Sequence, residues 1–183
     1  YIKSKFNIIK NQTENDVFIY NADDEVTIQY LNKFLNKAKA LPISMRKPLP
    51  QGAYITNAEM HIKWQNAQMK MSVEDFAVKG KHNQYNTQAA GLSALVMDIR
   101  KEKIRDAVQT FQSLEHRMEP VATIKGVEFI NDSKATNTNS TWYALESMTK
   151  PTILILGGVD KGNDYSFIKD LVKEKVKAIV CMG

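Results

Sequence analysis

Residues 131–137 read Asn-Asp-Ser-Lys-Ala-Thr-Asn, seven positions dominated by short polar side chains, directly after the apolar pair Phe129-Ile130. Asp132 offers an acceptor suited to sugar hydroxyls, Lys134 a cation for phosphate or carboxylate, and Thr136 a hydroxyl for either. If a strand ends here and a helix follows, the segment lies where open parallel sheets bind ligands, beside unpaired helix N–H groups that attract anions. A plainer reading exists: Asn131 and Asp132 form an Asx turn while Asn139 or Ser140 caps the helix. For Asn139 and Ser140 the cap is the preferred reading, whereas composition leaves Asp132, Lys134 and Thr136 open between the two.

Three further groups have chemical potential. Residues 156–164 read Leu-Gly-Gly-Val-Asp-Lys-Gly-Asn-Asp. Adjacent glycines let a backbone turn sharply or approach a ligand, Lys161 is placed to hold a carboxylate, and Asp164 reads as a helix N-cap. Asn83 and Asn86, three apart on a predicted helix, share one face and can present donors and acceptors to the edge of a base such as adenine. The neighbouring His82 lacks a metal-ligating partner nearby and reads as a capping or packing residue. His116-Arg117-Met118-Glu119 puts an arginine where two domains would meet; it can clamp phosphate bidentately or make a surface salt bridge. The phosphate-loop pattern G-x-x-x-x-G-K-[ST] occurs nowhere in the chain.

Periodicity predicts the elements that position these groups. A strand over 14–20 ends in the polar turn 21–24, and a helix follows over 26–40. Pro42, Pro48 and Pro50 predict loop from 41 to 52, because each proline removes a donor. Short strands are expected around 53–55, 61–65 and 70–73, the last with one wet face through Lys70. Helices follow over 83–97 and 101–114, the first with small residues that permit close packing along the side of Asn86, Ala89, Ala90, Ser93 and Met97. Beyond a boundary near 113–115 the order becomes strand 127–130, helix 139–148, strand 152–156, helix 165–173, strand 177–182. That alternation implies three parallel strands with helical crossovers, the first part of a Rossmann-like sheet. A sheet ending there is small and open, which suggests a part of a longer protein.

Bulk properties narrow the classes. With 183 residues, 43% apolar and 25% charged, the chain has room for one good core or two small ones. No run approaches the roughly 18 apolar residues of a membrane span, and the start Tyr-Ile-Lys-Ser-Lys lacks the apolar core of a signal peptide. The cytoplasm is the expected compartment, with no membrane partner. The net charge of +5 is scattered rather than gathered with aromatics, which argues against nucleic acid. The single Cys181, within an apolar run, is expected to be buried and rules out a multi-cysteine metal site.

Taken in order, the Asn83/Asn86 helix, the His116-Arg117 hinge, the 131–137 string and the Gly157-Gly158…Lys161 loop resemble the Mur ligase family. The 131–137 string resembles that of the member adding D-glutamate. The resemblance implies an α/β chain: the later part of a P-loop-type central ATPase domain (1–113), then the first part of a Rossmann-like C-terminal domain (114–183). It implies ATP-driven amide formation on UDP-N-acetylmuramoyl-L-alanine with D-glutamate, in bacterial peptidoglycan synthesis, by a monomeric cytoplasmic enzyme using ATP and Mg2+. The substrate carboxylate would take the γ-phosphoryl group, and the amine would displace phosphate from the acyl phosphate. Charge stabilisation drives such transfers.

Carried over by position, Asn83 and Asn86 match the pair near adenine, and Arg117 and Asp132 match nucleotide contacts. Thr136 and Lys161 match D-glutamate contacts, with Lys134 beside them. Lys5 matches a carbamylated lysine that helps hold magnesium; such a lysine must be neutral to react, so Lys5 is expected to be unmodified if the fragment leaves that site open. With the phosphate loop, the UDP-substrate domain and the end of the D-glutamate pocket absent, the isolated chain is expected to fold in part, to bind nucleotide weakly if at all, and to be inactive. Another Mur or folylpolyglutamate-type ligase, or a non-catalytic nucleotide-binding module, are the alternatives.

Overall fold

The structure, a computed structural model, describes residues 2–34, 37–112, 114–159 and 162–182. The chain forms two compact units, one of residues 1–78 and 82–111, the other of residues 79–81 and 112–183.

The first unit is built on a five-stranded sheet in sequential order. Strand β1 (Val17–Asn21) runs parallel to β2 (Lys39–Ser44), and β2 parallel to β3 (Gly52–Thr56). Strands β4 (Glu59–Trp64) and β5 (Ala67–Ser72) complete it as an antiparallel meander. Parallel neighbours need a crossover, and helix α2 (Glu25–Phe34) supplies it between β1 and β2. Its start is set by Asp24, whose Oδ2 accepts from the Thr27 N–H at 3.0 Å. The β3–β4 loop is tight because Asn57 and Ala58 adopt φ of 50° and 57°, the twist that matches paired strands.

Helices α1 (Ile2–Phe6), α3 (Lys81–Val96) and α4 (Lys101–Thr110) complete the unit. Its core joins Met60, Ile62, Met69 and Met71 of the meander to Leu92, Leu95 of α3 and Ile104 of α4. Burying each such side chain contributes about 1.5–3 kcal/mol before entropy is set against it. A smaller cluster joins Phe6, Ile9 and Leu31, with Phe6 stacked on Phe34 at 4.9 Å between ring centroids.

In the second unit β6 (Glu119–Ile124) and β7 (Val127–Asn131) form an antiparallel hairpin. Helix α5 (Thr138–Ser147) leads to β8 (Thr152–Gly157), and α6 (Lys169–Lys175) carries the chain into β9 (Val176–Met182), parallel to β8. Lys175 Nζ donates to the carbonyls of Glu146 and Met148 at 2.7 and 3.0 Å, satisfying acceptors at the end of α5.

The α/β class stands, with parallel pairs in both units, and several local expectations are corrected. Residues 41–44 are strand where prolines predicted loop. The β2–β3 ladder begins at Ile43↔Ala53, one residue beyond Pro42, so the missing donor interrupts no pair on that side. Residues 39–40, expected to end a helix, belong to the same strand. Strand 127–130 does not join a parallel sheet; its partner is β6, which periodicity did not reveal. Lys125 and Gly126, with φ of 50° and 81°, make the two-residue turn between them. On α3 the packed side is Thr87, Gln88, Gly91, Leu92 and Leu95, while Met97 is exposed. Gly91 lets α3 pack closely there: a Cβ would lie 2.6 Å from the terminal methyl of Ile62, which would have to shift. Cys181 is exposed, because β9 pairs with β8 and its faces stay largely uncovered among the described residues.

Candidate functional site

The residues singled out in the second unit meet where the hairpin ends. His116 and Met118 adopt φ of 64° and 48°, a left-handed backbone that non-glycine residues rarely take. Arg117 sits between them with its guanidinium exposed. Two such residues cost about 1 kcal/mol or more each, so neighbours must hold them. Asp132 Oδ1 accepts from the Met118 N–H at 3.1 Å, and the His116 carbonyl accepts from the Lys134 N–H at 3.1 Å.

Glu119 and Asn131 hold the other side of this loop. Glu119 Oε2 accepts from the His116 N–H at 2.8 Å and from Asn131 Nδ2 at 3.2 Å. Asn131 Nδ2 also lies 2.7 Å from His116 Nδ1, so one amide group bridges carboxylate and imidazole. These two ends of the hairpin are paired in register, Glu119↔Asn131, which is why residues twelve apart meet. Sequence reasoning missed Glu119, Asn131 and His116 as supports; the hairpin signal Ile-Lys-Gly-Val at 124–127 would have found them.

The 131–137 segment is a compact turn. Asn131 Oδ1 accepts from the Ser133 N–H at 3.2 Å, an Asx turn, and the carbonyls of Asp132 and Lys134 accept from Ala135 and Thr136. Asn137, and neither Asn139 nor Ser140, caps α5: its Oδ1 accepts from the Ser140 N–H at 2.8 Å. The side chains of Lys134 and Thr136 are exposed, and Asp132 is half-buried. Arg117, Asp132, Lys134 and Thr136 therefore share one loop cluster, with cations, a carboxylate and a hydroxyl at its surface. Among the described residues Arg117 forms no ion pair; the surface salt bridge considered for it is absent.

Lys161 lies outside the described residues. Gly157 before it has a structural reason: a Cβ there would sit 1.8 Å from the Met182 carbonyl oxygen of β9. Asp164 is the N-cap expected: the Ser166 hydroxyl, and the Ser166 N–H at 2.9 Å, donate to its carboxyl and hold it below the ordinary range.

In the first unit, Asn83 and Asn86 occupy the first turns of α3, Asn83 half-buried and Asn86 exposed, and Lys5 lies exposed on α1. Among the described residues no three His, Cys, Asp or Glu side chains converge as metal ligands. The donors of the described residues do not by themselves make a magnesium site. No described helix is long and apolar enough to cross a membrane.

Comparison with known sequences and structures places this architecture. The family profile described as Mur ligase middle domain matches residues 1–94, and that described as Mur ligase, glutamate ligase domain matches residues 116–183. The chain belongs to the Mur ligase family. It is 49% identical over 183 residues to a protein of Christiangramia forsetii named UDP-N-acetylmuramoylalanine--D-glutamate ligase, and 50% identical to the one of that name in Bacteroides thetaiotaomicron. Each match covers 100% of this chain and 41% of the relative, so the chain spans well under half the length of the curated relatives it matches. Among solved structures, MurF from Acinetobacter baumannii superposes over 99% of this chain and 42% of its own, with a TM-score of 0.77 at 17% identity. MurF ligase from Thermotoga maritima, crystallised in complex with ADP, covers 98% of this chain and 47% of its own with a TM-score of 0.64 at 11% identity. At such identities these neighbours speak for the fold alone.

Proposed function

We propose that this chain is the later central part and first C-terminal part, divided near residues 113–115, of an ATP-dependent cytoplasmic ligase. The ligase joins D-glutamate to UDP-N-acetylmuramoyl-L-alanine in peptidoglycan synthesis. The observation that carries the reading is the 49–50% identity, sustained over all 183 residues, to relatives bearing that ligase's name. The loop cluster supports it. A carboxylate and an exposed arginine brought into one loop cluster by the Met118 and Lys134 backbone bonds suit a nucleotide: Asp132 accepts from ribose hydroxyls, and Arg117 pairs with phosphate. Exposed Lys134 and Thr136 in the same cluster suit a second, carboxylate-bearing substrate, to which Lys161 is assigned as well in this reading. In the first unit Asn83 and Asn86 face the adenine edge. Where the carboxyl substrate is phosphorylated, these cations offset the charge that builds on the transferring group. Lys5 and magnesium belong to the complete enzyme in this reading.

The test is a ligase of the relatives' full length carrying this sequence, supplied with ATP, UDP-N-acetylmuramoyl-L-alanine and a panel of amino acids. D-Glutamate alone should be incorporated; incorporation of a different amino acid, or of none, refutes the proposal.

A further inference from the structure

The turn after β1 holds an acid that the proposed site does not use. Asp23 is half-buried, and its carboxylate takes three bonds: the Ser44 hydroxyl at 2.7 Å to Oδ1, and the Met45 N–H at 2.6 Å and the Tyr85 hydroxyl at 2.8 Å to Oδ2. These donors come from the end of β2 and from α3, 21, 22 and 62 residues away. Burial works against the charge, yet those bonds and the nearby Arg46 outweigh it and hold the Asp23 carboxyl below the ordinary range.

Tyr85 has a companion three residues on, on the same side of α3. Gln88 is fully buried, and with its amide turned so that the nitrogen faces the carbonyls of Ser44 and Ala53 it donates to both at 3.0 Å, the orientation that satisfies all four groups. Two anchors thus bind α3 to the carboxyl end of β2, and Ser44 takes part in both. Asn83 and Asn86 flank Tyr85 on the same helical turn, so the Tyr85 bond sets the azimuth at which they are presented.

We propose that Asp23 is a positioning residue for nucleotide binding, which orients the Asn83–Asn86 turn of α3 through the hydroxyl of Tyr85. This rests on the reading of Asn83 and Asn86 as adenine-facing residues. Asp23 touches no substrate in this arrangement; it acts through Tyr85. Asp24, beside it, has a different task, capping α2.

The test uses a full-length ligase carrying this sequence, with Asp23→Asn, Tyr85→Phe and the double variant. ATP dissociation constants are measured by calorimetry, and KM values for ATP and D-glutamate by turnover. Tyr85→Phe keeps the ring in its packed place and removes only the hydroxyl, so it guards against a variant that does not fold. Each single variant should weaken ATP by about fivefold to tenfold, the scale of one charge-assisted bond. The KM for D-glutamate should stay within about twofold, and the double variant should be no worse than the weaker single, since both remove one interaction. Unchanged ATP affinity in both singles overturns the inference. So does a joint loss of affinity for ATP and D-glutamate with a lowered melting temperature, which is the mark of a merely structural bond. If the unsubstituted ligase binds ATP without joining D-glutamate, the proposed function fails while the ATP constants still decide the role of Asp23; if it binds no ATP, both fail.

Discussion

The N–H of Met118 points at Asp132 Oδ1 across 3.1 Å, so the carboxylate that we propose meets the nucleotide also shapes the loop carrying Arg117. One acid therefore serves two ends, and its substitutions separate them. Asp132→Asn keeps an acceptor for Met118 and loses the charge; Asp132→Ala loses both. In a full-length ligase both should raise the KM for ATP, Asp132→Ala by about tenfold or more on the scale of bonds to charged groups. Only Asp132→Ala should loosen the 116–118 loop, read by amide hydrogen exchange of Met118. Equal exchange in the two variants would separate the loop from the carboxylate.

Cap placement on α5 gives a sharper stability test. Asn137 accepts from the Ser140 N–H, so Asn137→Ala should cost about 1 kcal/mol by chemical denaturation. Asn139→Ala and Ser140→Ala, at positions that sequence reading favoured as caps, should cost about half of that or less. A larger loss at Asn139 would return the cap to that residue.

Two glycines with positive φ should respond very differently to alanine. Gly52 has φ of 107°, and a Cβ would fall 2.0 Å from the backbone oxygen of Pro42, an atom that moves only with the sheet. Gly52→Ala should cost about 3 kcal/mol or more, or prevent folding. Gly126, at φ of 81° with nothing within 4 Å of its Cβ, pays only the left-handed strain of about 1 kcal/mol. Melting curves of similar midpoint for both variants would contradict the close approach of β2 and β3.

His61 predicts a pH dependence. Its ring stacks on Tyr54 with centroids 4.6 Å apart, and burial holds its pKa below the ordinary 6.5, despite the opposing pull of the Glu59 carboxylate. The native state thus binds this proton less readily than the unfolded chain. The stability it contributes is present above pH 6.5 and is lost as pH falls toward the folded value. His61→Phe, which retains an aromatic ring against Tyr54, should flatten the fall in melting temperature between about pH 7 and about pH 5. An unaltered slope would assign that dependence to other groups.

Much of the architecture was legible in residue order. Alternation over Met69-Lys70-Met71 marked a strand with one wet face, and both methionines are buried, at 4% and 2% exposure. Asp164 declared itself as a cap, and the Asn131 Asx turn was visible in composition, because these are bonds between residues two apart. The four motifs in their order, the Asn83/Asn86 helix, His116-Arg117, the 131–137 string and the Gly157-Gly158 loop, suggested the family that the comparisons establish.

What the chain alone determined, then, is whatever acts over a few residues: caps, turns, amphipathic faces, and a motif whose order is itself the signal. Tertiary structure decided the rest, because pairing between distant strands is chosen by the whole sheet's hydrogen bonds and burial. Pro42 became strand once β1 and β3 flanked it, and 127–131 turned to β6 instead of a parallel neighbour. Asp23, silent in a polar turn, met Ser44 and Tyr85 only when the sheet and α3 closed around it.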